Sequence, residues 1–159
     1  MRRFVQRRSL FSRERPASLI HLEEWPEQSG KARVLIENPE RADLWAHADL
    51  LRKEGYDVAM CGGPNAELEH TVCPLLAEGQ CPLVDGADVV VSTTQLTDSR
   101  EILATLSARK SPALVVEGTS SELERDRDVI GDAVQLKLPV LPRQLVDAVE
   151  RARSARASD

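Results

Sequence analysis

Nowhere does this sequence hold an apolar run near the roughly 18 to 20 residues that a helix needs to cross a bilayer. Its first residues, MRRFVQRRSLFSRERP, contain no uninterrupted apolar segment of the kind that heads a secreted protein. A membrane span and a secretory signal are therefore not expected, and the expected location is the cytoplasm. Cysteine is sparse and odd in number, three in 159 residues, which excludes the dense, even pairing of a secreted disulfide scaffold. Nucleotide signatures are missing too: Gly62-Gly63-Pro64 follows a strand-like run, but there is no G-x-G-x-x-G and no Walker lysine. No histidine can be placed near Ser92, Thr93 and Thr94, so these hydroxyls read as strand-end groups that satisfy the backbone rather than as nucleophiles. A formal charge of -5 argues against wholesale nucleic-acid binding by the folded part.

What is present is enough chain for one domain with a core, plus tails. Residues 1–30 read as a basic arm and connector, 31–153 as an α/β domain, and 154–159 as a short tail. The arm carries Arg2, Arg3, Arg7, Arg8, Arg13 and Arg15 against Glu14, with Phe4, Val5, Leu10 and Phe11 between them. A solvated chain end is one reading. Contact of Arg2, Arg3, Arg7 and Arg8 with lipid or nucleic-acid phosphates, making the arm a membrane or nucleic-acid tether, is another. Trp25 is expected to dock on the domain.

From Lys31 onward strands and helices alternate. ARVLIE (32–37) is a continuous apolar run, as a strand buried on both faces requires. Asn38-Pro39 supplies a cap and a first-turn proline for a helix that places Leu44, Ala48 and Leu51 on one stripe and ends at Gly55. YDVAMC (56–61) is the second strand. A span with an internal echo, Cys73-Pro74-Leu75-Leu76 and Cys81-Pro82-Leu83-Val84, is expected to form a loop or single turn and then a short helix. ADVVVST is the third strand, followed by a helix capped by Asp98 with Glu101. SPALVVEG (111–118) is the fourth, followed by a helix capped by Ser121 with Glu124, whose charged ELERDRD predicts the least anchored element. AVQLKLPV (133–140) is the fifth, and Pro142 opens the last helix. Five strands joined by helical crossovers predict a flavodoxin-like, doubly wound parallel sheet of order 2-1-3-4-5, with helices on both faces and a crevice at the carboxyl ends of its strands.

The order of elements, ENPE after the first strand, SPALVV as the fourth, and LPVLPRQLVDAVERA at the end together resemble the receiver domain of bacterial two-component response regulators, over about residues 32–153. The resemblance implies an acidic pair for Mg²⁺ after the first strand, an acceptor aspartate at the third strand's tip, a hydroxyl after the fourth and a lysine before a proline in the fifth. At these positions stand Glu37 and Asn38, Thr93, Glu117, and Leu138 before Pro139. Thr119 lies two residues beyond Glu117. Lys137 is turned to the other face by the period of two in a strand, unless a bulge brings it to the crevice. Thr93 cannot form an acyl-phosphate, so the expectation is a degenerate receiver: no enzyme, no resident cofactor, and regulation through a protein partner or a second copy on the 121–149 face.

Cys61, His70, Cys73 and Cys81 fall outside the receiver pattern. Zinc ligation, redox sensing and service as small core residues remain three readings, although no C-x-x-C knuckle is present. The cysteines before Pro74 and Pro82 are expected at helix starts, where thiol pKa values fall. His21 is left unassigned, and His47 is placed on an exposed helical position beside Asp49.

Overall fold

The computed structural model describes residues 24–27, 29–64, 73–96 and 98–158. Arg2, Arg3, Arg7, Arg8 and His70 lie outside them, as does the arm up to residue 23. The order is β1 (Arg33–Glu37), α1 (Arg41–Lys53), β2 (Asp57–Cys61), α2 (Pro74–Glu78), α3 (Pro82–Asp85), β3 (Val89–Thr93), α4 (Ser99–Ser107), β4 (Ala113–Gly118), α5 (Ser120–Arg125), α6 (Arg127–Ile130), β5 (Val134–Lys137) and α7 (Pro142–Arg156). The strands form one sheet in the order β2-β1-β3-β4-β5, every pairing parallel. The apolar runs therefore do what continuous runs imply: β2 and β3 are buried along their whole length.

Alternation along each strand sorts the core into two layers. Val34, Ile36, Met60, Val89, Val91, Val115 and Leu136 face α1 and α7, where Leu44, Ala48, Leu51, Leu145 and Ala148 are all sealed from solvent. Leu35, Cys61, Val90, Leu114 and Val116 face the other layer, built from α2 to α6 around Leu75, Leu83, Ile102, Leu103, Leu123 and Ile130. Trp25 does dock: its indole Nε1 donates to the Leu83 carbonyl at 3.1 Å, and the Arg33 guanidinium sits 5.3 Å from the ring centre.

Several local expectations change. Helix α1 starts later than Asn38-Pro39 suggested, with Glu40 at its N-cap; Asn38 instead accepts the Glu40 backbone N–H through Oδ1 at 2.8 Å, an Asx turn. Asp98 makes no side-chain cap for α4. The cap expected at Ser121 with Glu124 sits two residues earlier, as a reciprocal box between Thr119 and Glu122. Each Cys-Pro pair opens its own short helix, with proline at the first turn. The charged segment after β4 breaks into α5 and α6 at Asp126 and is well anchored, because Leu123 and Ile130 are buried and Asp126, 1% exposed, is held by Arg125 at 2.6 Å and Arg100 at 3.3 Å. Two buried apolar residues and a buried, paired Asp126 supplied the anchoring that the charged composition hid. Strand β5 is shorter than the apolar run, Val134–Lys137.

Candidate functional site

The carboxyl ends of β1, β3, β4 and β5 meet at one pole of the sheet. In register, Thr93 lies beside Glu117, Glu117 beside Leu136, and Gly118 beside Lys137. Ile36 pairs with Val91, so the next step up brings Glu37 beside Ser92. Because side chains alternate, this pole has two sides. Thr93, Glu117 and Leu136 belong to the α1/α7 face; Glu37, Ser92 and Cys61 belong to the other.

On the second side, the Ser92 hydroxyl donates to Glu37 Oε2 at 3.0 Å. Glu37 is 4% exposed. Burial pushes its carboxyl up to about 7, against a smaller downward pull from the Ser92 hydrogen bond. Cys61 Sγ accepts the Gly63 N–H at 3.3 Å, and burial together with the nearby Glu37 pushes this thiol far up. Cys73 and Cys81 occupy the N-caps of α2 and α3. The expected lowering of a helix-start thiol does not hold for Cys73: burial raises it and outweighs the Leu76 and Leu75 N–H groups. A helix of five residues has little dipole with which to oppose desolvation. Among the described residues no three His, Cys, Asp or Glu side chains are grouped so as to hold a metal ion. His70, the fourth member of the expected set, lies outside them.

On the first side, Glu117 Oε1 and His47 Nδ1 stand 3.5 Å apart. Both atoms are buried, and neither completes a hydrogen bond. Glu117, 2% exposed, is pushed up to about 7, first by burial and then by the negative charge of Asp43. Burial lowers His47, with Asp43 opposing. The exposed placement expected for His47 is thus corrected: it is half-buried and turned toward β4. The signal was in the spacing, since His47 lies three residues after Leu44 and four before Leu51, on the margin of the buried stripe. Reading it by its neighbour Asp49 concealed this.

The remaining positions frame the pole. Thr93 is buried, and its Oγ1 accepts the Gln95 N–H at 3.3 Å. Leu138 is half-buried, and Pro139 and Lys137 are exposed. No bulge intervenes in β5: Lys137 is in register with Gly118, on the face away from Thr93 and Glu117. Beyond β4, Thr119 Oγ1 accepts the Glu122 N–H at 3.3 Å, while Glu122 Oε2 accepts from the Thr119 N–H at 2.8 Å and from Thr94 Oγ1 at 3.1 Å. Gly118 permits this approach, because a Cβ there would come 2.5 Å from Thr94 Oγ1.

A hard divalent cation at such a pole needs the acidic pair of β1 to converge with the tip of β3. Glu37 faces the layer opposite Thr93, and Asn38 spends Oδ1 on the turn into α1. The residues present do not fit that ion.

No protein-family model and no curated protein matches the sequence. Solved structures do match the fold. A response regulator receiver domain protein from Clostridium thermocellum is 17% identical, with a TM-score of 0.61, over 80% of this chain and 98% of that one. A CheY-like receiver domain protein from Methanospirillum hungatei gives the same identity, score and coverage. NtrX from Brucella abortus is 16% identical, with a TM-score of 0.60, over 80% of this chain and 28% of the longer NtrX chain. Sheet order, crossover pattern and these neighbours agree that the chain has the fold of a response regulator receiver domain.

Proposed function

We propose that this protein is a receiver-fold regulatory module that takes no phosphoryl group and acts through protein contacts. The observation that carries the reading is the set of side chains at the carboxyl pole. A threonine, Thr93, ends β3 where an acceptor carboxylate would stand, Leu138 precedes Pro139 where a lysine would stand, and Glu37 and Asn38 are committed to Ser92 and to the Glu40 N–H. A threonine hydroxyl cannot yield the high-energy acyl-phosphate, and without a cation or a lysine nothing neutralises charge on a transferring phosphoryl group. Cysteine chemistry takes second place, because burial holds Cys61 and Cys73 as thiols.

The partner surface is the 121–149 region. There β5 is an edge strand, Leu141 is a large apolar side chain 61% exposed, and Gln135, Lys137, Gln144, Asp147 and Arg151 line an open depression. The occupant is a protein partner or a second copy of the chain. The test is incubation with acetyl phosphate, or with beryllofluoride, in the presence of Mg²⁺. The expected result is an unchanged intact mass and unchanged amide spectrum. A gain of one phosphoryl group, or a magnesium-dependent spectral shift at the pole, would overturn the reading.

A further inference from the structure

The carboxyl pole retains one arrangement that neither structural support nor the receiver pattern accounts for: two ionisable side chains from different elements, a buried carboxyl and a half-buried imidazole, whose facing atoms are both buried and complete no hydrogen bond. His47 projects from the second turn of α1, and Glu117 is the last residue but one of β4. Their nearest atoms, His47 Nδ1 and Glu117 Oε1, are 3.5 Å apart, just outside the range of a well-formed hydrogen bond. In a protein interior such groups are normally satisfied. Here each is the other's only neighbouring partner among the described residues, and what would join them is a hydrogen.

We propose that the ligand that sets the state of this crevice is a proton, held between His47 and Glu117. This deepens the reading given above and rests on it, since a crevice that took metal and phosphoryl would be governed by them instead. Chemically the step is a simple ionisation. With Glu117 protonated, its hydroxyl donates to an unprotonated Nδ1. When that proton leaves to solvent, the carboxylate must accept, so the neutral imidazole must change tautomer to place its hydrogen on Nδ1. The two forms therefore demand different distances and ring orientations from α1.

The surroundings leave Glu117 poised near neutrality. On α1, Asp43 lies one turn before His47, and its charge acts on both members. Next to Glu117, β3 offers the uncharged Thr93, and β5 offers Leu136 in register, with Lys137 on the opposite face. Helix α7 contributes the buried apolar Leu145 and Ala148, and Glu122 of α5 is engaged by Thr119 and Thr94. Among the described residues no lysine or arginine is directed at the pair to hold Glu117 ionised. Burial and Asp43 both favour its protonated form up to about 7, while burial keeps His47 neutral below its ordinary value.

A readout is built into the backbone. The Glu117 carbonyl accepts the Thr94 N–H at 2.9 Å, and Thr94 Oγ1 donates to Glu122, whose carboxylate closes the cap of α5. A shift of the Glu117 side chain thus reaches the start of α5 through Thr94, and the second turn of α1 through His47.

The test is a titration of the full chain by NMR from about pH 5.5 to about pH 8.5, following the Glu117 carboxyl carbon, the His47 ring and the backbone amides. The expected result is a Glu117 midpoint near 7, shared by amides around His47 and from Glu117 to Glu122. That shared transition should be lost in Glu117→Gln and retained in Glu37→Gln. In His47→Gln the Glu117 midpoint should move, and the α1 amides should cease to follow it. A Glu117 midpoint in the ordinary carboxylate range overturns the proposal, as does a transition that survives unchanged in Glu117→Gln. If Glu117→Gln does not fold, His47→Gln decides alone, because an unmoved midpoint in that variant also overturns it. Acetyl phosphate labelling reports separately on the absence of phosphoryl transfer, so failure of one idea is distinguishable from failure of the other.

Discussion

The two sides of the carboxyl pole carry the same chemical problem and answer it differently. Glu37 and Glu117 stand at the carboxyl ends of β1 and β4, the two strands that flank β3, both are nearly sealed from water, and burial pushes both carboxyls up to about 7. On the α2–α6 side, Glu37 is met by a hydroxyl that donates at 3.0 Å, so it is served in either protonation state. On the α1 side, Glu117 meets a second titratable group, with no hydrogen bond completed. The first arrangement is insensitive in structure though costly when ionised; the second changes its partner when it changes its charge. A buried carboxyl is thus a structural feature or a responsive one according to what stands opposite it.

The two carboxyls should act most strongly on the dependence of stability on pH. Both carboxyls have folded values raised above the usual 4.5, so the folded state binds more protons than the unfolded one between that value and about 7. Their stabilising contribution is complete below about pH 4.5 and is lost as pH rises through about 7. At 1.36 kcal/mol per unit, each carboxyl accounts for up to about 3 kcal/mol of that loss. His47 runs the other way: its lowered value gives a contribution present above the ordinary histidine range and lost as pH falls through the folded one. Urea unfolding at about pH 5.5 and about pH 8.5 should therefore show the wild type weaker at the higher pH, with Glu37→Gln and Glu117→Gln each flattening the dependence. If either variant leaves the slope unchanged, its carboxyl ionises normally in the fold.

Ser92→Ala comes next. Removing the hydroxyl leaves Glu37 with an unsatisfied buried oxygen, a cost of about 1–3 kcal/mol, and the cost should be greater above pH 7, where the group is an anion. The Glu117 titration should be unmoved, because Ser92 lies on the other face. A shift of the Glu117 midpoint in Ser92→Ala would mean that the two sides are coupled through the sheet.

The architecture was legible because its signals are long and redundant. Continuous apolar strands, stripes at helical spacing and glycine stops all indicate a parallel sheet, and the order 2-1-3-4-5 is what the structure contains. What escaped the sequence depends on contacts between distant residues. His47 and Glu117 are 70 positions apart, and only the packing of α1 over the sheet makes them neighbours. Asp126 looked like one more exposed charge until Arg100 and Arg125 closed on it. The Cys73 pKa direction failed for a related reason: sequence places the thiol at a helix start but cannot weigh its burial. Short-range spacing also misassigned the cap of α5, since Ser121 with Glu124 and Thr119 with Glu122 have the same three-residue separation, and only the end of β4 at Gly118 selects between them.

That cap gives the smallest effect and the sharpest control. Thr119→Ala removes the acceptor for the Glu122 N–H, while Glu122 Oε2 keeps the Thr119 backbone N–H at 2.8 Å and Thr94 Oγ1 at 3.1 Å. Half of the reciprocal box survives, so the loss should be about 1 kcal/mol. Glu122 is held below the usual carboxylate value by these Thr119 hydrogen bonds, so its contribution is present above about 4.5 and lost only as pH falls below that range. Across neutral pH the Thr119→Ala penalty should therefore be constant, measured as a parallel displacement of the urea midpoint at each pH. Glu117 lies two residues upstream on the same backbone, and its variant should change the slope instead. A pH-dependent Thr119→Ala penalty with a midpoint near that of Glu117 would show that the cap and the buried pair are a single unit.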